Sequence, residues 1–203
     1  MRFGVVALLF SLIVGSGAPA FAAMAYPVPL ATPIIPAGVA TLTVTSTSLK
    51  NGETMPDKNI TCAQGTTQGG NVSPQLSWTP GPPGTQSYVV MEFDTDAPTG
   101  VGFHQWVVMN IPANVTSIPE DFSKNVESIP GAVQGYNDGG YTGYRGGCPP
   151  VGDAPHHYFY TVTAMDTVFK GVGAGTTGTA VDFMMSKAGH VLARGQIVVT
   201  YKR

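Results

Sequence analysis

Three short stretches of this chain carry side chains that could do chemistry. The first is Asp94-Thr95-Asp96-Ala97-Pro98. An acid–x–acid pair can hold a metal, act as catalytic carboxylates, or close a turn. Aspartate commonly closes a turn through its own backbone, which suits Asp96. It suits Asp94 less if a preceding strand delivers that residue to the end of a sheet. The second stretch is Phe103-His104-Gln105-Trp106. Neighbours on a regular strand face opposite ways, so His104 and Trp106 are expected on one face and Gln105 and Val107 on the other, unless a bulge intervenes. The third is Gly146-Gly147-Cys148-Pro149-Pro150, followed by His156-His157-Tyr158. Glycines let backbone N–H groups approach an anion closely, and a histidine at the mouth of the next strand adds a donor or a charge. By itself the glycine signal is weak, because a loop rich in glycine and proline is more often only a loop.

Other chemistries fit poorly. Zinc wants about four spaced ligands, and the two cysteines and four histidines show neither Cys-x-x-Cys nor His-x-x-x-His spacing. No Gly-x-Ser-x-Gly elbow marks a serine nucleophile. Cys148 near His156 could mimic a Cys–His pair, but not if it is bonded to Cys62. An oxidising compartment permits that bond; two separate, partly buried thiols are the alternative, and geometry decides between them. No catalytic residue, metal or cofactor is therefore assigned.

The elements that must position these residues are mostly strands. Residues 41–46 alternate β-branched and polar side chains, as a first strand would. Strands are also expected over 88–93, 105–111, 158–165 and 196–201, with loops at 65–71 and 80–84. Residues 131–152 read as a long, glycine-rich, strandless loop. Thr179-Ala180-Val181-Asp182 has the spacing of a capping box, and one helix is expected to follow, its Met184-Met185 pair packing on a sheet.

The N-terminus has the order of a secretory signal: Arg2, an apolar run from Val5 to Val14, then small residues ending in Ala20-Phe21-Ala22. The run is shorter than the roughly 20 residues a spanning helix needs. Residues 1–22 are read as a cleaved signal and 23–40 as a proline-rich extended leader. Residues 41–203 form one domain, periplasmic or secreted, with no integral membrane segment after cleavage. Only 11% of residues are charged, against 26 glycines and 17 prolines, which argues for a loop-rich β protein. The formal charge of −2, without basic clusters, gives no footprint for nucleic acid.

Taken in order, these stretches resemble the phosphatidylethanolamine-binding protein family, in its bacterial Raf-kinase-inhibitor-like branch. Residues 71–78 resemble its SPxLSW stretch, 94–98 its DPDAP, 106–112 its strand ending in NIP, 146–158 its GPxPPxGxHxY, and 191–203 its C-terminal ending. The resemblance implies a mostly β fold, a large antiparallel sheet packed on a smaller one, with few peripheral helices. It also implies a shallow pocket for phosphate-like anions or phospholipid head groups such as phosphoethanolamine. The pocket residues would be Asp94, Gln105, His156, Tyr158 and the Gly146-Gly147-Cys148 backbone, with Tyr144 and Pro149 at the rim. By the same analogy, the alternative function is an interaction or inhibitor module that docks a protease or kinase-like partner through the pocket rim and the 131–152 loop. A hydrolase of phospho-compounds is the third reading. Two departures stand out. Thr95 replaces a proline, and Gln105 replaces the histidine before the tryptophan. Glutamine can donate a hydrogen bond but cannot take a proton, which puts more weight on His156.

Overall fold

The computed structural model describes residues 38–62, 68–187 and 189–203. The signal segment and most of the leader lie outside the described residues. Four long strands form the centre: β4 (Ser87–Asp94), β5 (Phe103–Pro112), β8 (His156–Met165) and β9 (Val191–Tyr201). With β1 (Ala40–Thr41) and β7 (Val133–Gln134) they make a six-stranded sheet in the order β1-β9-β8-β4-β5-β7. A second sheet orders β2 (Val44–Thr45), β3 (Leu76–Trp78) and β6 (Ser117–Ile118) as β2-β3-β6. Pairing is antiparallel except where β1 lies parallel to the start of β9. The mostly β, two-sheet expectation holds, with that one parallel edge as an exception.

Alternation along the strands divides the side chains between two cores. Tyr88, Val90, Trp106, Val108, Tyr158 and Tyr160 face the small sheet and pack with Leu76, Trp78 and Ile118. Val89, Met91, Val107, Met109 and Met165 face the opposite way, beneath the helix α1 (Gly178–Lys187). Met185 is buried there and Met184 packs alongside, as the helix-to-sheet reading expects.

Three local expectations are corrected. The 131–152 stretch contains β7, which pairs with Val108 and Met109 because β5 would otherwise present an open edge. The helix is capped by Thr177, whose Oγ1 accepts the Ala180 N–H at 3.2 Å, and not by Thr179. The 41–46 strand is broken: Ala40–Thr41 joins the large sheet and Val44–Thr45 the small one.

Candidate functional site

Asp94 ends β4 and His156 begins β8, and the register Asp94↔Tyr158 brings the two strand ends together. His156 Nδ1 lies 2.9 Å from Asp94 Oδ2, with both side chains 4% exposed. The second Asp94 oxygen accepts the Asp96 N–H at 3.0 Å. With both oxygens engaged, Asp94 fixes the ring orientation, so that Nδ1 donates to it and Nε2 points away from it. Nε2 lies 3.5 Å from Asp153 Oδ2, on the turn just before the strand. Burial pushes the His156 pKa down, but Asp94, Asp153 and Asp96 outweigh it and hold the ring above its ordinary value. The three carboxylates thus favour the charged form of the ring. Asp96 serves the turn: its carboxylate accepts the His157 N–H at 2.7 Å and meets His157 Nδ1 at 2.8 Å.

The glycine wall stands against the same corner. A Cβ on Gly147 would collide with the Tyr158 hydroxyl, and one on Gly146 with the Asn59 carbonyl. Tyr158 stacks on His156 at 6.4 Å between ring centres. Its hydroxyl is buried and makes no hydrogen bond of normal geometry. Burial and the neighbouring Asp94 raise its pKa, so it remains a donor. The Gly146 N–H is already given to Asn71 Oδ1 at 2.8 Å. Among the described residues the Gly147 and Cys148 N–H groups donate to nothing. The Gly147 carbonyl accepts from Thr61 and Cys62, and Cys62 is bonded to Cys148, with Cα atoms 4.8 Å apart. That disulfide leaves no free thiol for a Cys–His pair.

The rim differs from expectation. Tyr144 is buried, 4% exposed, and its hydroxyl donates to the Asn59 carbonyl at 2.7 Å within the core. Pro149 is also buried, and its carbonyl accepts from Arg203 Nε at 2.7 Å. The β4–β5 register slips between Glu92 and Phe93, so Glu92 faces Trp106 while Phe93 faces His104. Gln105 takes up the extra residue. The bulge therefore places His104 and Trp106 on opposite faces, correcting the alternation argument. His104 turns away from the pocket, bonded to Asp138 at 3.1 Å and to Asp182 of α1 at 2.9 Å. Burial alone would lower its pKa; the two carboxylates raise it to about 9. Gln105 points to Arg145, Oε1 to Nη1 at 3.4 Å, and among the described residues no hydrogen bond joins it to Asp94, His156 or Tyr158.

Three residues at the site escape sequence reasoning. Arg145 lies 4.9 Å over the ring of Phe103, the register partner of Asp94, and so supplies a cation on the pocket face. Asp153 was detectable only as an acid three residues before His156. Glu92, two residues before Asp94 on the same face, is fully buried, and neither of its oxygens has a hydrogen-bond partner of normal geometry. Burial holds its pKa well above the ordinary 4.5, against a smaller downward pull from Tyr160, so the fold favours its neutral form. Unfolding lets it ionise, so the native state binds the extra proton and stability falls as pH rises above 4.5. Glu92→Gln is expected to melt higher than wild type at pH 8. The gap should narrow toward pH 4.5, by at most about 1.4 kcal/mol per pH unit. Parallel pH–stability curves for the two proteins would contradict this.

A large sheet over a small one, with an acid and a histidine meeting a glycine wall at one strand end, defines a class of β-sheet binding proteins. The phosphatidylethanolamine-binding protein family matches residues 45–202, and the chain belongs to that family. The UPF0098 protein YbcL of Escherichia coli K12 is 41% identical over 168 residues, 82% of this chain and 90% of the relative. A UPF0098 protein of Aquifex aeolicus is 41% identical over 167 residues, 82% and 92% of the two chains. The crystal structure of E. coli YbcL, described as a new member of the mammalian PEBP family, matches with TM-score 0.74 at 40% identity. It covers 81% of this chain and 99% of its own. The homologue CT736 of Chlamydia trachomatis matches with TM-score 0.66 at 29% identity, covering 80% and 98%.

Proposed function

We propose that this is an exported binding protein for small phosphate-like anions, including the phosphoethanolamine head group. The reading is carried by His156: a buried ring held at Nδ1 by Asp94 and stacked on Tyr158, the residue that Gly147 abuts, with its charged form favoured by neighbouring carboxylates. Its Nε2–H, the Tyr158 hydroxyl and the Gly147 and Cys148 N–H groups are the donors an anion would use, and charge-assisted bonds of this kind are the strong ones. Family membership supports a binding role, and the Cys62–Cys148 bridge suits an oxidising compartment. Among the described residues no helix is long and apolar enough to cross a membrane, and no three His, Cys, Asp or Glu side chains are grouped so as to hold a metal ion. The working mode is binding without turnover, so a panel of chromogenic phosphate and acyl esters should stay uncleaved. Calorimetric titration should show phosphate and phosphoethanolamine binding and ethanolamine failing to bind. Binding of ethanolamine alone would overturn the anion assignment. Export predicts that protein recovered from the periplasm or medium begins at Ala23.

Asp153 competes for the same nitrogen. Its side chain is 42% exposed and its carboxylate stands where an anion would meet Nε2. An incoming phosphate must displace it against like charge. Asp153→Asn is expected to tighten phosphate binding by about three- to tenfold, since a partly exposed charge contact is worth roughly 1 kcal/mol. Weaker binding in the variant would mean that Asp153 helps the ligand.

A further inference from the structure

The acids at the pocket corner are mostly occupied. Asp94 meets the His156 ring with one oxygen and accepts the Asp96 N–H with the other. The Asp96 carboxylate is held by His157. Burial favours the neutral form of Glu92. Asp153 is the most exposed of the four, and it faces His156. Arg145 is differently placed. Among the described residues no carboxylate lies within ion-pair distance of its guanidinium.

Several contacts fix where this cation sits. The Arg145 backbone N–H donates to the Gln105 carbonyl at 3.0 Å, which ties its loop to β5. Its Nη1 donates to Gln105 Oε1 at 3.4 Å, and the guanidinium lies 4.9 Å over the Phe103 ring. Phe103 is the register partner of Asp94 and so shares its face of the sheet. The residues that follow Arg145 are Gly146 and Gly147, the glycine wall itself. β5 and β8 are the two neighbours of β4. The strands that carry Phe103 and His156 are thus about 10 Å apart, on either side of Asp94. Gln105 also finds a role here. An amide oxygen accepts from the guanidinium at any pH, whereas a protonated histidine in its place would repel it.

We propose that Arg145 is the second cation of the anion site and makes that site selective for phosphomonoesters over phosphodiesters, an inference that rests on the anion reading of the pocket. A phosphomonoester carries three free oxygens and a charge of about −1.5 to −2 at pH 7. One oxygen meets the Arg145 guanidinium, one the His156 Nε2–H, and one the Gly147 and Cys148 N–H groups. The planar fork of an arginine suits such a phosphate contact better than a point charge does. A phosphodiester has two free oxygens and a single charge, so one of the three sets of donors goes without a partner.

The test is calorimetric titration of the purified protein with phosphoethanolamine, a monoester, and glycerophosphoethanolamine, the corresponding diester. The wild type should bind the monoester about tenfold more tightly than the diester, the worth of one charge-assisted hydrogen bond. Arg145→Gln, at a partly exposed loop position, should lose about tenfold for the monoester and less than about threefold for the diester, so that the preference collapses. Arg145→Lys keeps the charge without the fork and should recover part of the loss. Arg145→Gln should also keep the fall of affinity with rising pH, which belongs to His156, while His156→Ala should weaken both esters. Wild-type affinity for the monoester in a folded Arg145→Gln protein would overturn the role of Arg145 and leave the anion site standing. Equal wild-type affinity for the two esters would do the same. A wild type that binds neither ester would overturn the anion reading and this inference with it.

Discussion

His156→Ala is expected to weaken phosphoethanolamine binding by roughly ten- to a hundredfold, the worth of one charge-assisted hydrogen bond of about 1.5–3 kcal/mol. It should also flatten the pH profile. In the wild type, affinity is expected to be full while the imidazolium persists and to fall as pH rises through the folded-state pKa. That pKa lies above the ordinary 6.5 because the Asp94, Asp153 and Asp96 carboxylates favour the charged ring over the cost of burial. The same shift stabilises the fold below pH 6.5, and that stability is lost as pH rises through the raised value. Removing the ring leaves Asp94, itself 3% exposed, without its partner, and a buried carboxylate stripped of its counter-charge costs stability. His156→Gln is therefore the companion variant: it keeps a donor but cannot titrate. It should retain part of the affinity and show no pH dependence between 6 and 9. Calorimetry across that range reads both effects. Wild-type affinity in both folded variants would remove His156 from the site.

Loss of the Cys62–Cys148 bond is expected to be the most damaging single covalent change. The cysteines are 86 residues apart in sequence, and restoring that loop's freedom to the unfolded chain costs about 2–5 kcal/mol of stability. For a domain of this size, 1 kcal/mol moves the melting midpoint by roughly 2–4 °C. The Cys62→Ala/Cys148→Ala protein should therefore melt about 5–20 °C lower. The bond also holds the glycine wall, since Thr61 and Cys62 both donate to the Gly147 carbonyl next to Cys148. Anion affinity should fall with stability when the bond is broken by reductant, and return on reoxidation. An unchanged melting midpoint after verified reduction would show that the loop is held by its other contacts.

All four histidines of the chain are paired with aspartates: His104 with Asp138 and Asp182, His156 with Asp94 and Asp153, His157 with Asp96, and His190 with Asp166. A His–Asp pair alone therefore marks no site in this protein. His156 is set apart by its surroundings. It is buried, Tyr158 stacks on it, and glycines leave room where side chains would otherwise fill the corner. His157 and His190 are more exposed and act as ties between the ends of elements. His104 is buried but faces the helix, where it joins α1 to the segment that carries Asp138.

The sequence by itself determined the long strands, because period-two runs of apolar and β-branched residues can bury a face in no other way. It also determined the helix and the order of the chemistry-bearing stretches. The order of the motifs, through the family resemblance, groups Asp94, His156, Tyr158 and the glycines. Short strands such as Leu76–Trp78 and Ser117–Ile118 were not legible, since two or three residues show no period and exist only through their partners. The tertiary structure alone decided where His104 and Gln105 point. A single extra residue in β5 reverses every side chain beyond it, and no local pattern announces a bulge. It decided that Tyr144 belongs to the core and not to the rim, because loop residues carry no periodicity to read. The cysteine pairing, the buried Glu92 and the approach of Asp153 to His156 likewise depend on distances across the fold. In the pocket, then, the chain's residue types supply the donors, and the register of β4 with β8 brings them to one corner.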